Sequence, residues 1–185
     1  MALTIRQKGD TLGTFRFMTV YLMETLARWV PSTPELEVKV LFGRHIWDLA
    51  QHADALGRRT AELRAPLHYS PAPTAHHLAI LESLRAATAT PDRVFGFYDG
   101  YLPALAERYR LYLKDTDAQL DEPSVRVLER ILHDFERLQA ERRALTAEIG
   151  LKPTDAAAAE RIRARALGPE PLVVHRPPAR SAVEA

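Results

Sequence analysis

Four long stretches of the sequence carry apolar side chains three or four residues apart, and prolines separate these stretches. This spacing returns a side chain to the same face of an α-helix, whereas a half-buried strand needs alternation at every second residue. The sequence shows neither strand-like alternation nor an internal repeat. We therefore predict an all-α protein in which four long helices pack as an up-and-down bundle.

Capping residues and prolines predict the bounds of the first two long helices. The first helix should begin after Asp10 or Thr11, because either side chain can cap free backbone N–H groups. The second should begin with Thr33 as its N-cap, since the proline that follows suits the first position of a helix. The two helices should end before Pro31 and Pro66, respectively.

The segment between the second and third long helices is rich in proline. Residues 65–74 contain three prolines and should form one long, ordered crossover between the halves of the bundle. A short extra helix is expected over residues 75–87. The third long helix should open with Thr90 and Pro91, and Pro103, with two glycines ahead of it, should bend this helix or separate its first turns.

The C-terminal part should contain the fourth long helix and one short helix. The fourth helix is expected from about residue 121 to residue 149, where a glycine and then a proline stop it, and the Ala-rich segment 155–167 favours a short helix. The last 18 residues contain four prolines, so they should be mobile or bound to something else. The predicted organisation is an N-terminal arm (1–10), a bundle (11–150), a C-terminal helix (151–167) and a Pro-rich mobile tail (168–185).

Composition and charge exclude several classes of protein. The chain has 25 basic and 24 acidic side chains and a net charge of +1, so no overall field attracts nucleic acid or an anionic membrane. The absence of cysteine excludes disulfides and cysteine-bound metals. No signal-like segment and no run of about 18 apolar residues occur, which predicts a cytoplasmic protein. Only four basic residues are lysine, which indicates a GC-rich bacterial genome.

The second long helix carries the residues best suited to chemistry, namely His45, Asp48 and His52. At 100° per residue, both histidines fall on the apolar line of this helix, so their imidazoles should point into the core with Asp48 at its edge. Inward histidines and carboxylates from facing helices build di-iron and di-manganese sites in bundles. The three residues are therefore candidate catalytic residues and candidate ligands of iron or manganese, although we expect no cofactor.

The pattern resembles the ferritin-like superfamily over residues 11–149. Its long helices are paired by a crossover, the second carries a His and acid cluster, and a turn of the kind in DEPSVRVLERILHDFERL opens the fourth. Metal sites of the family normally use Glu-x-x-His on two helices. Here the order is reversed, from His45 to Asp48 and from His133 to Glu136. The resemblance thus implies a bundle whose standard di-metal ligands are degenerate or missing.

Carboxylates on the other long helices should point away from the core. Glu24 lies off the apolar line of the first helix. On the fourth helix, the apolar line and the residues Glu129, His133 and Glu136 lie on different faces. We therefore expect a complete carboxylate-bridged metal pair to be absent. The most that could form is a site made by the two inward histidines and one acid.

Two interpretations of the inward histidines follow. In the first, His45 and His52 are core residues hydrogen-bonded to tyrosines of the third helix, because a buried Tyr O–H and an imidazole nitrogen satisfy each other. In the second, the same histidines surround a cavity, where an imidazole with a pKa of about 6.5 acts as a general base. The tyrosines that could take part are Tyr98, Tyr101, Tyr109 and Tyr112.

These interpretations lead to three functional hypotheses. The first is a binding or accessory subunit, for instance of a biosynthetic enzyme, that acts with a protein partner or as a homodimer. The second is an enzyme, either an atypical metal-dependent oxidase or oxygenase that uses His45, Asp48 and His52, or a metal-free catalyst with the histidines beside Tyr98 and Tyr101. The third is that the bundle core binds a small molecule without turnover.

Overall fold

Helices make up most of the described chain, which covers residues 3–66 and 68–177 of a computed structural model. No strand occurs in this part of the chain, so the predicted all-α class is confirmed there. The short connections between helices include a 3₁₀ turn, Val30–Ser32, and a π-helical turn, Gly96–Tyr101. The α-helices of the described residues are α1 (Ile5–Trp29), α2 (Leu36–Glu62), α3 (Ala75–Arg85), α4 (Thr90–Phe95), α5 (Leu102–Asp115), α6 (Glu122–Glu148) and α7 (Ala158–Ala166).

The long helices enclose one hydrophobic core. Helix α1 packs against α2, α2 also packs against α6, and α6 packs against α5. Helix α1 reaches α5 through Phe15 and Thr19: the ring centroids of Phe15 and Tyr109 are 4.5 Å apart, and the hydroxyl oxygens of Thr19 and Tyr109 are 3.2 Å apart. The largest side chains that this packing buries are Trp29, Tyr98, Tyr101, Tyr109, Phe15, Phe42 and Phe97. Over the described ranges, no helix is both long and apolar enough to cross a membrane.

Helix α1 begins earlier than the sequence predicts. Its first residue is Ile5, and Thr4 is the N-cap, so most of the predicted N-terminal arm is the first part of this helix. The Thr4 hydroxyl accepts a hydrogen bond from the backbone N–H of Gln7, and the Gln7 side chain accepts one from the backbone N–H of Thr4. This reciprocal capping satisfies two helix-terminal donors. Asp10 and Thr11, the predicted caps, are instead buried inside the helix.

Helix α2 begins later than predicted, and Thr33 is not its N-cap. Its first residue is Leu36, preceded by Glu35 at the cap position. The Thr33 hydroxyl donates a hydrogen bond to the carbonyl of Trp29 at 2.9 Å and accepts one from Arg93 at 3.0 Å. The Thr33 hydroxyl is therefore bonded within the 3₁₀ turn after α1 and is not available to cap α2.

The predicted third long helix is interrupted where its proline and glycines predict a bend. Helices α4 and α5 are joined by the π-helical turn, which ends just before Pro103. Proline lacks the N–H that an α-helix needs at that position, so the preceding carbonyls require other donors. The side-chain amide of Gln139 on α6 donates to the backbone carbonyl of Tyr98 in this turn. Gly100 lets α7 approach, since a Cβ there would lie 3.1 Å from the carbonyl oxygen of Ala159.

The C-terminal segment 168–177 packs on its own chain, which corrects the expectation of a mobile tail for these residues. The carbonyl of Leu172 accepts a hydrogen bond from the backbone N–H of Thr74 at 3.1 Å, and the Leu172 side chain is buried. The guanidinium of Arg176 donates to the carboxylate of Asp10, which is fully buried in α1. Polar contacts to α1 and to the crossover therefore hold this proline-containing segment. The last eight residues of the predicted tail lie outside the described residues.

The other helix bounds lie within about three residues of the predicted ones. The crossover before α3 is not helical, and α3 begins at Ala75 as predicted. Helix α6 covers Glu122–Glu148, within one residue of the predicted span at each end. Helix α7 is shorter than the predicted 155–167, because Asp155 caps a turn ahead of the helix by accepting from the backbone N–H of Ala157 at 2.8 Å.

Candidate functional site

Polar side chains of α2 and α6 meet in register along one side of the core. On each helix they are spaced by three and then four residues, which places them on one face. The first residue on α2 contacts the last one on α6, and the last on α2 contacts the first on α6, so the two helices are antiparallel here. We call these residues the polar cluster: His45, Asp48 and His52 on α2, and Asp134, Arg137 and Glu141 on α6.

Arg137 lies at the centre of the polar cluster. Its guanidinium is 2.8 Å from a carboxylate oxygen of Asp48, 3.0 Å from one of Glu141 and 3.6 Å from one of Asp134. The hydrogen bond to Asp48, followed by the one to Glu141, raises the pKa of the Arg137 guanidinium above its ordinary value. One permanent cation thus lies against three carboxylates at the edge of the core.

His45 is fully buried and bonded at both ring nitrogens. Its Nδ1 lies 2.5 Å from the hydroxyl oxygen of Tyr98, and its Nε2 lies 3.2 Å from a carboxylate oxygen of Glu141. Burial raises the pKa of the Tyr98 hydroxyl well above its ordinary value, so this group keeps its proton and donates to Nδ1. The Nε2–H then donates to Glu141. Burial also lowers the pKa of His45, although Glu141 opposes the shift, so the imidazole is neutral near pH 7.

His52 is buried, and among the described residues only one of its ring nitrogens has a hydrogen-bond partner. Its Nε2 lies 2.9 Å from a carboxylate oxygen of Asp134, and its Nδ1 has no hydrogen-bond partner among the described residues. Burial lowers the pKa of His52, and Asp134 opposes this shift. With Nε2–H donating to the carboxylate, Nδ1 keeps its lone pair. This arrangement can orient an imidazole as a base, as the carboxylate of a catalytic triad does.

The residues that the sequence singles out are brought together only in part. The hydrogen bond between His45 and Tyr98 confirms the predicted histidine–tyrosine contact for this pair. For His52 the prediction is wrong, because its partner is the carboxylate of Asp134. Tyr101 is buried, but its hydroxyl has no hydrogen-bond partner in the described chain, so it does not bond either histidine.

The α2 side chains proposed as metal ligands do not converge on one point. His45, Asp48 and His52 each contact a different residue of α6. Within residues 3–66 and 68–177, no group of three or more His, Asp or Glu side chains is arranged to hold a metal ion. The structure therefore places these three residues in one row without assembling them as a ligand set.

Sequence reasoning missed the α6 half of the polar cluster. The acids expected to face solvent, Glu24, Glu129 and Glu136, are exposed as predicted. Asp134, Arg137 and Glu141 border the apolar stripe of α6 instead of lying opposite it, and their side chains are only partly exposed. One signal could have identified them: they repeat the three-and-four spacing of the α2 set with the opposite charge at its centre.

Two grooves border the polar cluster between the outer surfaces of α2 and α6. The first, of about 450 Å³, is mainly apolar and lies beside the beginning of α2; we call it the apolar groove. The second, of about 630 Å³, lies beside the middle of α2, where His52 and Asp134 reach it and Trp47 forms part of its wall; we call it the polar groove. The apolar groove is lined by Leu36, Val40, Leu41, Ala144 and Leu145 together with four charged residues.

Comparison with known proteins adds no assignment to this geometry. No family model matches the chain, and neither a curated protein nor a solved structure is significantly similar to it.

Proposed function

We propose that this chain is a helical bundle of the ferritin-like type that serves as a binding subunit and does not carry the di-metal site of that superfamily. The order of helices supports the comparison: two long helices, a long crossover with a short helix, and two further long helical segments that share their core. An up-and-down arrangement of these four segments is part of the proposal.

The position of Arg137 is the observation that carries the proposal. A di-metal site in a bundle needs inward carboxylates and histidines with their lone pairs available to the metal. Here a guanidinium bonds two of the carboxylates nearest the histidines, and those histidines hydrogen-bond to α6 carboxylates. A divalent cation would have to displace this fixed cation, whose charge repels it. The cluster therefore favours a structural role over metal chemistry.

The first test is metal binding by the untagged protein. Because Arg137 already bonds Asp48 and Glu141, dialysis against Fe²⁺, Mn²⁺ or Co²⁺ should leave well below one metal ion per chain, measured by elemental analysis. The matched variants are His52→Ala in the cluster and His133→Ala on the exposed face of α6. Stoichiometric metal that His52→Ala removes and His133→Ala retains would contradict the proposal and support an oxidase.

A second candidate function is metal-free general-base catalysis by His52. Three observations favour this candidate: the Nδ1 of His52 has no partner in the described part of the chain, its Nε2 contacts Asp134, and the polar groove adjoins it. A base must be reachable from that groove, whereas the His52 side chain is 5% exposed.

Chemical modification separates the two candidates. For a binding subunit, diethyl pyrocarbonate should modify His52 at least about tenfold more slowly than His133, because a buried imidazole reacts only after local opening. Peptide mass spectrometry measures both rates in one sample. A rate at His52 that equals or exceeds the rate at His133 would instead support the general-base candidate.

A further inference from the structure

The C-terminal segment 168–177 lies on the bundle as a chain without regular secondary structure, much as a bound peptide does. It contains no helical or strand residue, and of its ten residues only Leu172 is buried. Residues of α1, α3, α5 and the crossover contact it. We call these residues the C-terminal groove: Asp10 on α1, Tyr69 and Thr74 in the crossover, His77 on α3 and Arg108 on α5.

One part of the C-terminal groove bonds the backbone of the segment. Four consecutive contacts are made to carbonyl oxygens, and three of the four donors are side chains held by the bundle. Every peptide carries such carbonyls, so these contacts fix the position of a chain without reading its sequence. The donors and acceptors are Arg108 to Gly168 (3.1 Å), His77 to Glu170 (3.3 Å), the Thr74 hydroxyl to Pro171 (2.7 Å) and the Thr74 N–H to Leu172 (3.1 Å).

The groove contacts the side chains of the segment at two main positions, which lie four residues apart. The Leu172 side chain is 7% exposed and joins the hydrophobic core. The guanidinium of Arg176 donates to the carboxylate of Asp10 and lies over the ring of Tyr69, 4.4 Å from its centroid. Between these two anchors, the Val174 side chain is 60% exposed. An apolar residue and an arginine are therefore the side chains that this groove selects.

Asp10 makes the arginine anchor necessary. Its side chain is fully buried, and it also accepts a hydrogen bond at 2.9 Å from the backbone N–H of Arg176. Its other partners among the described residues are the Tyr69 hydroxyl at 2.8 Å and Nδ1 of His175 at 3.6 Å. If the segment left, only the Tyr69 hydroxyl would remain of these partners, and a buried carboxylate without a cation is unfavourable. The groove thus requires a cation from whichever chain occupies it.

The composition and burial of the segment indicate that it can detach without unfolding the bundle. Its single buried residue and its many exposed ones are features of segments that open locally. Prolines at positions 169, 171 and 177 restrict its backbone. This restriction lowers the entropy that such a chain loses when it binds again.

We propose that the C-terminal groove is a peptide-recognition site, which the chain's own segment occupies until a partner protein displaces it. The partner presents an unstructured segment with an apolar residue and, four positions later, an arginine. This inference rests on the proposed function as a binding subunit and names the chemistry of its partner. Its failure would leave the metal and histidine tests of that function unaffected.

Binding of the segment as a separate peptide provides the first test. In the full-length chain, Leu172→Asp with Arg176→Glu should release the segment, because it buries one charge and sets another against Asp10. Fluorescence anisotropy of a labelled peptide with the sequence of residues 168–177 should then give a dissociation constant below about 100 µM. The wild type should bind this peptide about tenfold or more weakly, because its own segment competes at high effective concentration.

Val174→Asp is the matched control for the released variant, since Val174 is exposed in the same segment. It should bind the peptide as weakly as the wild type does. Circular dichroism checks that all three proteins are folded. A released variant that is unfolded, or that is folded and does not bind the peptide, overturns the inference, because the segment is then an integral part of the bundle.

Peptide variants test which side chains the groove selects. Arg176→Ala in the peptide should weaken binding to the released variant by about tenfold or more, because Asp10 then lacks its cation. Val174→Ala in the peptide should leave binding unchanged. Equal binding of the Arg176→Ala peptide and the unaltered peptide would contradict the proposed selection of an arginine.

Hydrogen exchange tests detachment in the wild type, with no substitution. The amide of Thr74 donates to the carbonyl of Leu172 and becomes free when the segment leaves. It should exchange about a hundredfold or more faster than the amide of Leu22, in the middle of α1, because the segment opens locally. If both amides exchange only through global unfolding, the segment does not detach and the inference is wrong.

Discussion

Replacing Asp121 by alanine is expected to lower the free energy of unfolding by about 3–5 kcal/mol, because it leaves buried cations without their counter-charge. The Asp121 side chain is 1% exposed at the start of α6. Its carboxylate forms ion pairs with Lys8 of α1 at 3.3 Å and with Arg59 of α2 at 3.0 Å. It also accepts hydrogen bonds from the hydroxyls of Tyr112, Thr116 and Ser124.

The protonation of Asp121 fixes the pH range in which this contribution is present. Burial alone would raise the pKa of Asp121, but the hydrogen bonds from Ser124, Tyr112, Thr116 and Arg59 outweigh burial and lower it to about 2. The folded-state pKa is therefore below the ordinary value of 3.8. The stabilisation is complete above that ordinary value and is lost as the pH falls through about 2.

Urea unfolding at pH 7, followed by circular dichroism, measures the effect of the Asp121 substitution. The matched control is Asp117→Ala in the same loop, where the exposed carboxylate accepts only the backbone N–H groups of Gln119 and Leu120. That control should lose less than about 1 kcal/mol. If Asp121→Ala loses no more than the control, Asp121 does not join α1, α2 and α6 in the way described.

Lowering the pH from 7 to 5 is expected to destabilise the protein through three buried histidines. Burial lowers the pKa of His45, His52 and His77 below the ordinary value of 6.5. Below that value the unfolded chain takes up protons that the folded chain does not, so stability falls as the pH decreases toward the folded-state pKa values. Each histidine contributes a slope of at most about 1.4 kcal/mol per pH unit.

The pH range from 7 to 5 separates the histidines from the carboxylates whose pKa values are lowered. Asp10, Asp121 and Glu141 also have lowered pKa values, but their contributions are lost only below the ordinary carboxyl range. Urea unfolding at several pH values and one fixed protein concentration should therefore show a slope due mainly to His45, His52 and His77.

His45→Gln tests the origin of this slope, because glutamine retains hydrogen-bonding groups beside Tyr98 and Glu141 but does not titrate. The variant should have a visibly smaller slope between pH 7 and 5 than the wild type. His133→Ala, which removes an exposed histidine of α6, should keep the wild-type slope. An unchanged slope in His45→Gln would mean that His45 is protonated equally in the folded and unfolded chains.

The helical class and most helix bounds follow from local sequence. Apolar spacing identifies the long helices, and the bounds of α6 agree within one residue of its predicted span. Local rules fail where a residue meets a distant one. The local sequence predicts Thr33 as an N-cap, but its hydroxyl forms hydrogen bonds with Trp29 and Arg93. The proline content of residues 168–177 predicts a mobile tail, but these ten residues pack against α1 and the crossover.

The same division applies to the candidate site. The sequence by itself determines that His45 and His52 face inward, because a helix advances by 100° per residue whatever surrounds it. It does not determine what meets them. Asp134, Arg137 and Glu141 lie about ninety residues further along the chain, and their register against α2 depends on how whole helices pack in the core. Only the tertiary structure therefore decides that a guanidinium stands at the centre of the carboxylates nearest these histidines.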